Sequence, residues 1–204
     1  MNFLAHLYLA GDDEDLIVGQ MLGDFLEPRW REKYSPRVCD GIDLHHFVDR
    51  FTDTHSVVAE ARMLVRPPYR RFAGVLLDVF FDHFLARDWG RHVPDTSLPE
   101  FARSRYDVLE RNEQRLSPRL QQALPSMVRH DWLNAYARRD GIERVLRGVS
   151  RRLSRENPLG EGAELLDEIG LQLETAFESF FPELVAANEV EISRVEYRRA
   201  GRKF

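Results

Sequence analysis

In "GIDLHHFVDRFTDTH", residues 41–55, His45, Asp49 and Asp53 recur at i, i+4 and i+8. On a helix they share an arc of about 80°. Leu44, Phe47, Val48, Phe51 and Val58 gather on a separate arc, so the polar stripe borders an apolar one and can line a cleft at the edge of a core. Aspartate is a poor residue for a helix interior and histidine a middling one. A solvated face would be the plainer account, but such faces favour Glu, Lys and Arg. His46 projects about 100° from His45. It is not expected to share an ion with it, and His46 and His55 read as surface or outer residues.

A second stretch, "GVLLDVFFDHFLA" at 74–86, is apolar all round a helix except for Asp78, Asp82 and His83. Such a helix is normally buried. Asp78 and Asp82 would then be stacked carboxylates in a low dielectric, where repulsion and desolvation are both costly. Protonation of one, pairing with Arg70, Arg71 or Arg87, or a bound cation would relieve them. A divalent metal offsets both charges at once and is the preferred reading. Asp24 in "GQMLGDFLE" and His6 in "NFLAHLYLA" are lone polar residues in apolar runs. Each alone is more ordinary as a capping or core residue. With His45, Asp49, Asp78 and Asp82 they make a mixed imidazole–carboxylate set of the kind that suits manganese, iron, magnesium or zinc. Without thiolates a structural zinc site is not expected.

Other signatures are missing. There is no G-x-S-x-G elbow, no Walker loop and no G-x-G-x-x-G after a strand. Cys39 sits among acids, Asp40 and Asp43, which raise a thiol pKa and make it a poor nucleophile. The His130–Asp131 dipeptide reads as surface.

Hydrophobic spacing predicts helices over approximately 13–27, 36–64, 68–90, 97–117, 119–137, 140–155 and 161–199, with no strand alternation. Most prolines fall near these boundaries, whereas Pro125 and Pro182 fall inside and are expected to kink or divide their helices. The expectation is an all-α bundle in a single domain, 1–204. No apolar run approaches the roughly 18 residues of a membrane span. The apolar start lacks a basic n-region and reads as mature structure. One cysteine suits a reducing cytoplasm. The net charge of −5 argues against indiscriminate nucleic-acid binding. Twelve of sixteen aspartates and six of seven histidines precede residue 100, so the chemistry is expected in the first half.

These residues resemble the signature of the acyl carrier protein phosphodiesterases, also called acyl carrier protein hydrolases. The resemblance rests on N-F-L-A-H (Asn2 to His6), on Gly23-Asp24-Phe25, and on G-I-x-x-H-x-x-x-D-x-x-T-D (Gly41, Ile42, His45, Asp49, Thr52 and Asp53). L-D-V-x-x-D-H-F-L, from Leu77 through Leu85, completes it. It covers about the first 90 residues and thins beyond residue 100 to Trp132-Leu133 with Tyr136. It implies a helical fold related to HD-type metal phosphohydrolases, although their His…His-Asp…Asp order is not reproduced. The implied activity is manganese-dependent removal of 4′-phosphopantetheine from holo acyl carrier protein. Asp24, His45, Asp78 and Asp82 carry over most readily.

For that reaction a divalent cation lowers the pKa of a bound water and neutralises the phosphate. Asp24, Asp53 and His83 are the candidates for proton transfer. Carrier proteins of this type are acidic, so Arg62, Arg66, Arg70 and Arg71 are the expected docking group. Arg151, Arg152 and Arg155 form another, and "YRRAGRKF" is a basic tail. The alternatives are an HD-type phosphohydrolase acting on a nucleotide or small phosphate ester, and a non-catalytic helical interaction module.

Overall fold

A computed structural model describes residues 1–201, so Arg202 and Lys203 of the basic tail lie outside the described residues. Twelve α-helices and no strand occur among the described residues, in agreement with the all-α expectation. They are α1 (Phe3–Leu9), α2 (Glu14–Leu22), α3 (Trp30–Lys33), α4 (Pro36–Thr54), α5 (Ser56–Leu64) and α6 (Ala73–Arg87). The second half contains α7 (Trp89–His92), α8 (Leu98–Arg111), α9 (Pro118–Arg129), α10 (Trp132–Ala135), α11 (Arg139–Arg152) and α12 (Leu165–Ala200). None is long and apolar enough to cross a membrane.

Caps set several starts. Asp13, Ser35 and Ser117 each place a side-chain oxygen on a first-turn N–H, and Pro36 and Pro118 follow in the first turn of their helices. Ser97 and Glu100 form a reciprocal capping box on α8. The helices expected over 13–27, 68–90, 97–117 and 161–199 are shorter than the sequence reading, ending at Leu22, starting at Ala73 and dividing at Asp88, ending at Arg111, and starting at Leu165. Three further differences have a local cause. Periodicity alone did not predict α1, which is a short helix capped by Asn2. The helix expected over 36–64 breaks at His55, whose backbone is extended. Just before the break, the Thr52 and Thr54 hydroxyls donate to carbonyls four residues back, at 2.8 Å each, and so compete with the helix's own donors. The helix expected over 119–137 divides at Asp131, which adopts φ 46°, a left-handed conformation that aspartate tolerates.

The two interior prolines divide nothing. α9 runs through Pro125, and α12 runs through Pro182. Pro182 is exposed, so solvent can serve the carbonyl it deprives of a donor. Phe177, Phe180, Phe181 and Leu184, all buried, hold α12 against the core across that point. Phe81 of α6 packs between Phe177 and Phe180, with ring centroids 5.6 and 5.7 Å apart. As its composition predicts, α6 is buried along nearly its whole length.

The element pair that matters for chemistry is α2 against α4. A Cβ on Gly19 would collide with Gly41, and one on Gly41 with Gly19 and Leu16. Only glycine allows so close an approach. It brings the end of α2 and the turn Gly23–Phe25 up to the His45 face of α4.

Candidate metal centre

His6 of α1 and His45 and Asp49 of α4 converge, with one potential ligand atom from each lying within 4.8 Å of the others. His6 Nε2 lies 3.2 Å from one Asp49 oxygen, and His45 Nε2 lies 3.2 Å from the other. The two imidazoles stack with centroids 3.9 Å apart and planes 14° apart. Asp24, on the turn after α2, places Oδ1 3.7 Å from His45 Nε2. Gly23 makes room for this, because a Cβ there would overlap the His45 ring. Both histidines are buried, while the side chains of Asp49 and Asp24 are 41% and 49% exposed. The centre therefore has imidazoles on its protein side and carboxylates at its mouth.

One residue orients both rings. The Gln20 side-chain carbonyl accepts from His6 Nδ1 at 2.9 Å, and its main-chain carbonyl accepts from His45 Nδ1 at 2.8 Å. Carbonyl oxygens only accept, so each Nδ1 carries a proton and each ring, when neutral, turns its Nε2 lone pair toward Asp49. Lone pair then faces carboxylate on both sides. A proton on one ring, or a cation between the three groups, resolves the conflict. The donor set passes the chemical test for a divalent ion: two oriented imidazoles, one carboxylate, a second carboxylate near, and an open side. Gln20 was not among the sequence candidates. Its signal was available as the one polar side chain within the apolar run Leu16–Leu22.

The electrostatics agree. Burial opposes the Asp49 charge, but the two imidazoles beside it, His45 and His6, outweigh it and hold the carboxyl well below the usual range. Burial and the neighbouring His45 lower His6. Burial also works against charge on His45, yet its hydrogen bond to Asp49 and the Asp24 carboxylate raise it overall. The two rings are thus pushed in opposite directions, His6 toward the neutral form and His45 toward the protonated one.

The α6 carboxylates follow a different logic. Asp78 accepts from the Met1 ammonium at 2.8 Å, and that nitrogen lies 4.0 Å from Asp49. Asp78 is therefore at the edge of the centre. Asp82 is fully buried and accepts from the backbone N–H groups of Asn2 at 3.1 Å and Leu4 at 2.7 Å. Burial pushes its carboxyl up to about 7, against the pull of the ammonium and these N–H groups. No arginine relieves either acid among the described residues. Arg87 binds Asp88 and Glu174 instead.

Two further candidates lie outside the convergence. Asp53, one turn beyond Asp49, is exposed and paired with Arg62. His83 donates Nδ1–H to the Tyr136 carbonyl at 2.7 Å. Among the expected docking arginines, Arg62 is thereby engaged, and Arg62, Arg70 and Arg71 border a separate hollow with Met63, Ala73 and Gly74. His46 is exposed and lies edge-on to Trp30. Burial pushes the Cys39 thiol up, in keeping with a poor nucleophile. From Asp24 a cleft of about 640 Å³ extends over Phe3, Phe25 and Trp132 toward α9 and α11. Phe3 stacks on both Phe25 and Trp132, at 6.2 and 6.1 Å.

The comparisons with known proteins extend the resemblance well past residue 100. The family described as acyl carrier protein phosphodiesterase matches residues 1–184. A Klebsiella pneumoniae protein of that name is 36% identical over 196 residues, covering 93% of this chain and 98% of its own. One from Photorhabdus laumondii is 34% identical over 189 residues, covering 93% and 96%. One from Escherichia coli O157:H7 is 36% identical over 192 residues, covering 91% and 96%. No solved structure matches. With His6, Asp24, His45 and Asp49 of its signature gathered around one centre and the match running into α12, the chain belongs to the acyl carrier protein phosphodiesterase family.

Proposed function

We propose that the chain, acting as one HD-like helical domain over 1–204, is a metal-dependent hydrolase. It cleaves the phosphodiester that joins 4′-phosphopantetheine to holo acyl carrier protein and leaves the apo protein. The observation that carries this reading is the meeting of His6, His45 and Asp49 from two helices in a member of that family. His6 Nε2, His45 Nε2 and Asp49 would hold the ion, with Asp24 and Asp78 at its margin. A bound divalent cation would supply an acidified water and charge neutralisation at the phosphate. Mixed imidazole and carboxylate donors suit manganese, iron(II), magnesium or zinc, and the family resemblance points to manganese among them.

The protein's own groups supply the rest. Gln20 keeps both Nε2 atoms aimed at the ion position. Asp24 is open to solvent and close to His45, so it is the group best placed to orient a water and accept its proton. Asp53 is held by Arg62 and His83 by the Tyr136 carbonyl, which gives each a positioning role at most. The reading includes the cytoplasm as the place of action, and neither nucleic acid nor membrane as a partner.

Incubating the protein with manganese and holo acyl carrier protein and weighing the products tests the proposal. Loss of the phosphopantetheine mass supports it. An untouched carrier protein beside a hydrolysed small phosphodiester would favour the small-ester phosphohydrolase instead. Absence of both turnover and ion binding would leave a helical interaction module.

A further inference from the structure

The cleft that opens from Asp24 has a charge opposite to that of the chain. The molecule carries a net charge of −5, yet this cleft is lined by Arg119 of α9 and by Arg144, Arg147, Arg151 and Arg152 of α11, with Asp24 as its lone acid. Arg144, Arg147 and Arg151 recur at i, i+3 and i+7, which aligns them along one side of α11. Gly148 interrupts that side, and a Cβ there would meet nothing within 4 Å, so the wall is open at its middle. Asp140 engages Arg144 at 2.6 Å and Glu143 engages Arg147 at 3.0 Å. Arg119, Arg151 and Arg152 have no carboxylate partner among the described residues. The Arg152 guanidinium instead lies 5.7 Å from the Trp132 ring centroid.

This arrangement sorts the substrate's parts by chemistry. The phosphodiester belongs at the Asp24–His45 end, where the candidate ligands converge. The pantetheine arm is neutral and needs no cation along its path. Three guanidinium groups with no carboxylate partner among the described residues, lining one cleft from α9 and α11, match a surface that brings several carboxylates. Resting on the function proposed above, we infer that the α9–α11 arginine wall is the docking face for the acidic surface of the carrier protein. The expected group Arg62, Arg66, Arg70 and Arg71 does not line this cleft. Guanidinium–carboxylate pairing across the wall steers encounter and fixes orientation, and it weakens with salt.

The test uses the full chain and measures binding to holo acyl carrier protein at low salt in the absence of added metal, together with KM in manganese. Arg151→Glu combined with Arg152→Glu weakens binding and raises KM by at least about tenfold, and flattens the salt dependence. The double Arg→Lys variant at the same positions recovers most of the binding, which a folding defect would not predict. Arg119→Glu, on α9, gives the same direction of change and serves if the double variant does not fold. Wild-type affinity and salt dependence in folded wall variants overturn the inference. So does a loss confined to Arg70→Glu with Arg71→Glu. If wild-type protein neither binds nor hydrolyses holo acyl carrier protein but cleaves bis(4-nitrophenyl) phosphate, the functional reading itself has failed, and the docking face falls with it.

Discussion

α4 and α6 both carry a polar pair at i and i+4: His45 with Asp49, and Asp78 with Asp82. The same spacing leads to different work. On α4 the pair meets His6 and Asp24 and leaves carboxylate oxygens at an open mouth. On α6 the pair meets the start of α1, where Asp78 takes the Met1 ammonium and Asp82 takes two backbone N–H groups. The α4 pair can present ligands. The α6 pair moors the short helix that delivers His6. Spacing puts side chains on one face, but the neighbour across that face decides what they do.

Four perturbations break or sharpen this contrast. The largest effect is expected for Asp49→Asn, which removes the carboxylate shared by both imidazoles. Manganese retention is lost and turnover falls by more than about a hundredfold, beyond the usual cost of losing an outer partner. Elemental analysis and steady-state rates measure both, and a fully loaded, active variant would put the ion elsewhere. Next comes Asp82→Ala, which strands the Asn2 and Leu4 N–H groups in the interior. Urea unfolding should show a loss of about 2–4 kcal/mol, since each orphaned buried donor costs about 1–3 kcal/mol. The contrast fails if stability is unchanged while the ion is lost.

Gln20→Leu removes the acceptor from His6 Nδ1 but keeps the main-chain carbonyl on His45. Manganese affinity should drop by about 10- to 100-fold with little change in unfolding. The smallest effect is with pH. His45 holds its proton above the ordinary histidine range, and a metal ligand must be neutral, so binding displaces that proton. Affinity should therefore rise with pH through neutrality, by up to about tenfold per unit while one proton is released. Calorimetry in buffers of different ionisation enthalpy counts the protons, and a flat profile would contradict this account.

Much of the centre was legible because α4 writes its stripe in residue types that a solvated helix avoids. His6 and Asp24 could be added because each stands alone in an apolar run. The relief of Asp78 and Asp82 was not legible, because their partners are an ammonium and main-chain N–H groups, which carry no side-chain signature. Helix ends failed in the same way. Proline looked like the breaker, yet solvent access at Pro182 and packing around it kept α12 whole, while threonine back-bonding and a left-handed aspartate made the real breaks. The arginine wall was half seen, since Arg151 and Arg152 read as a group. Only the fold brings Arg119 across from α9 and sets the cleft beside Asp24.

Because Gln20 supports one ring through its amide and the other through its peptide carbonyl, the two imidazoles are not independently adjustable. A slight slip of α2 in its glycine seat on α4 would mis-aim both together.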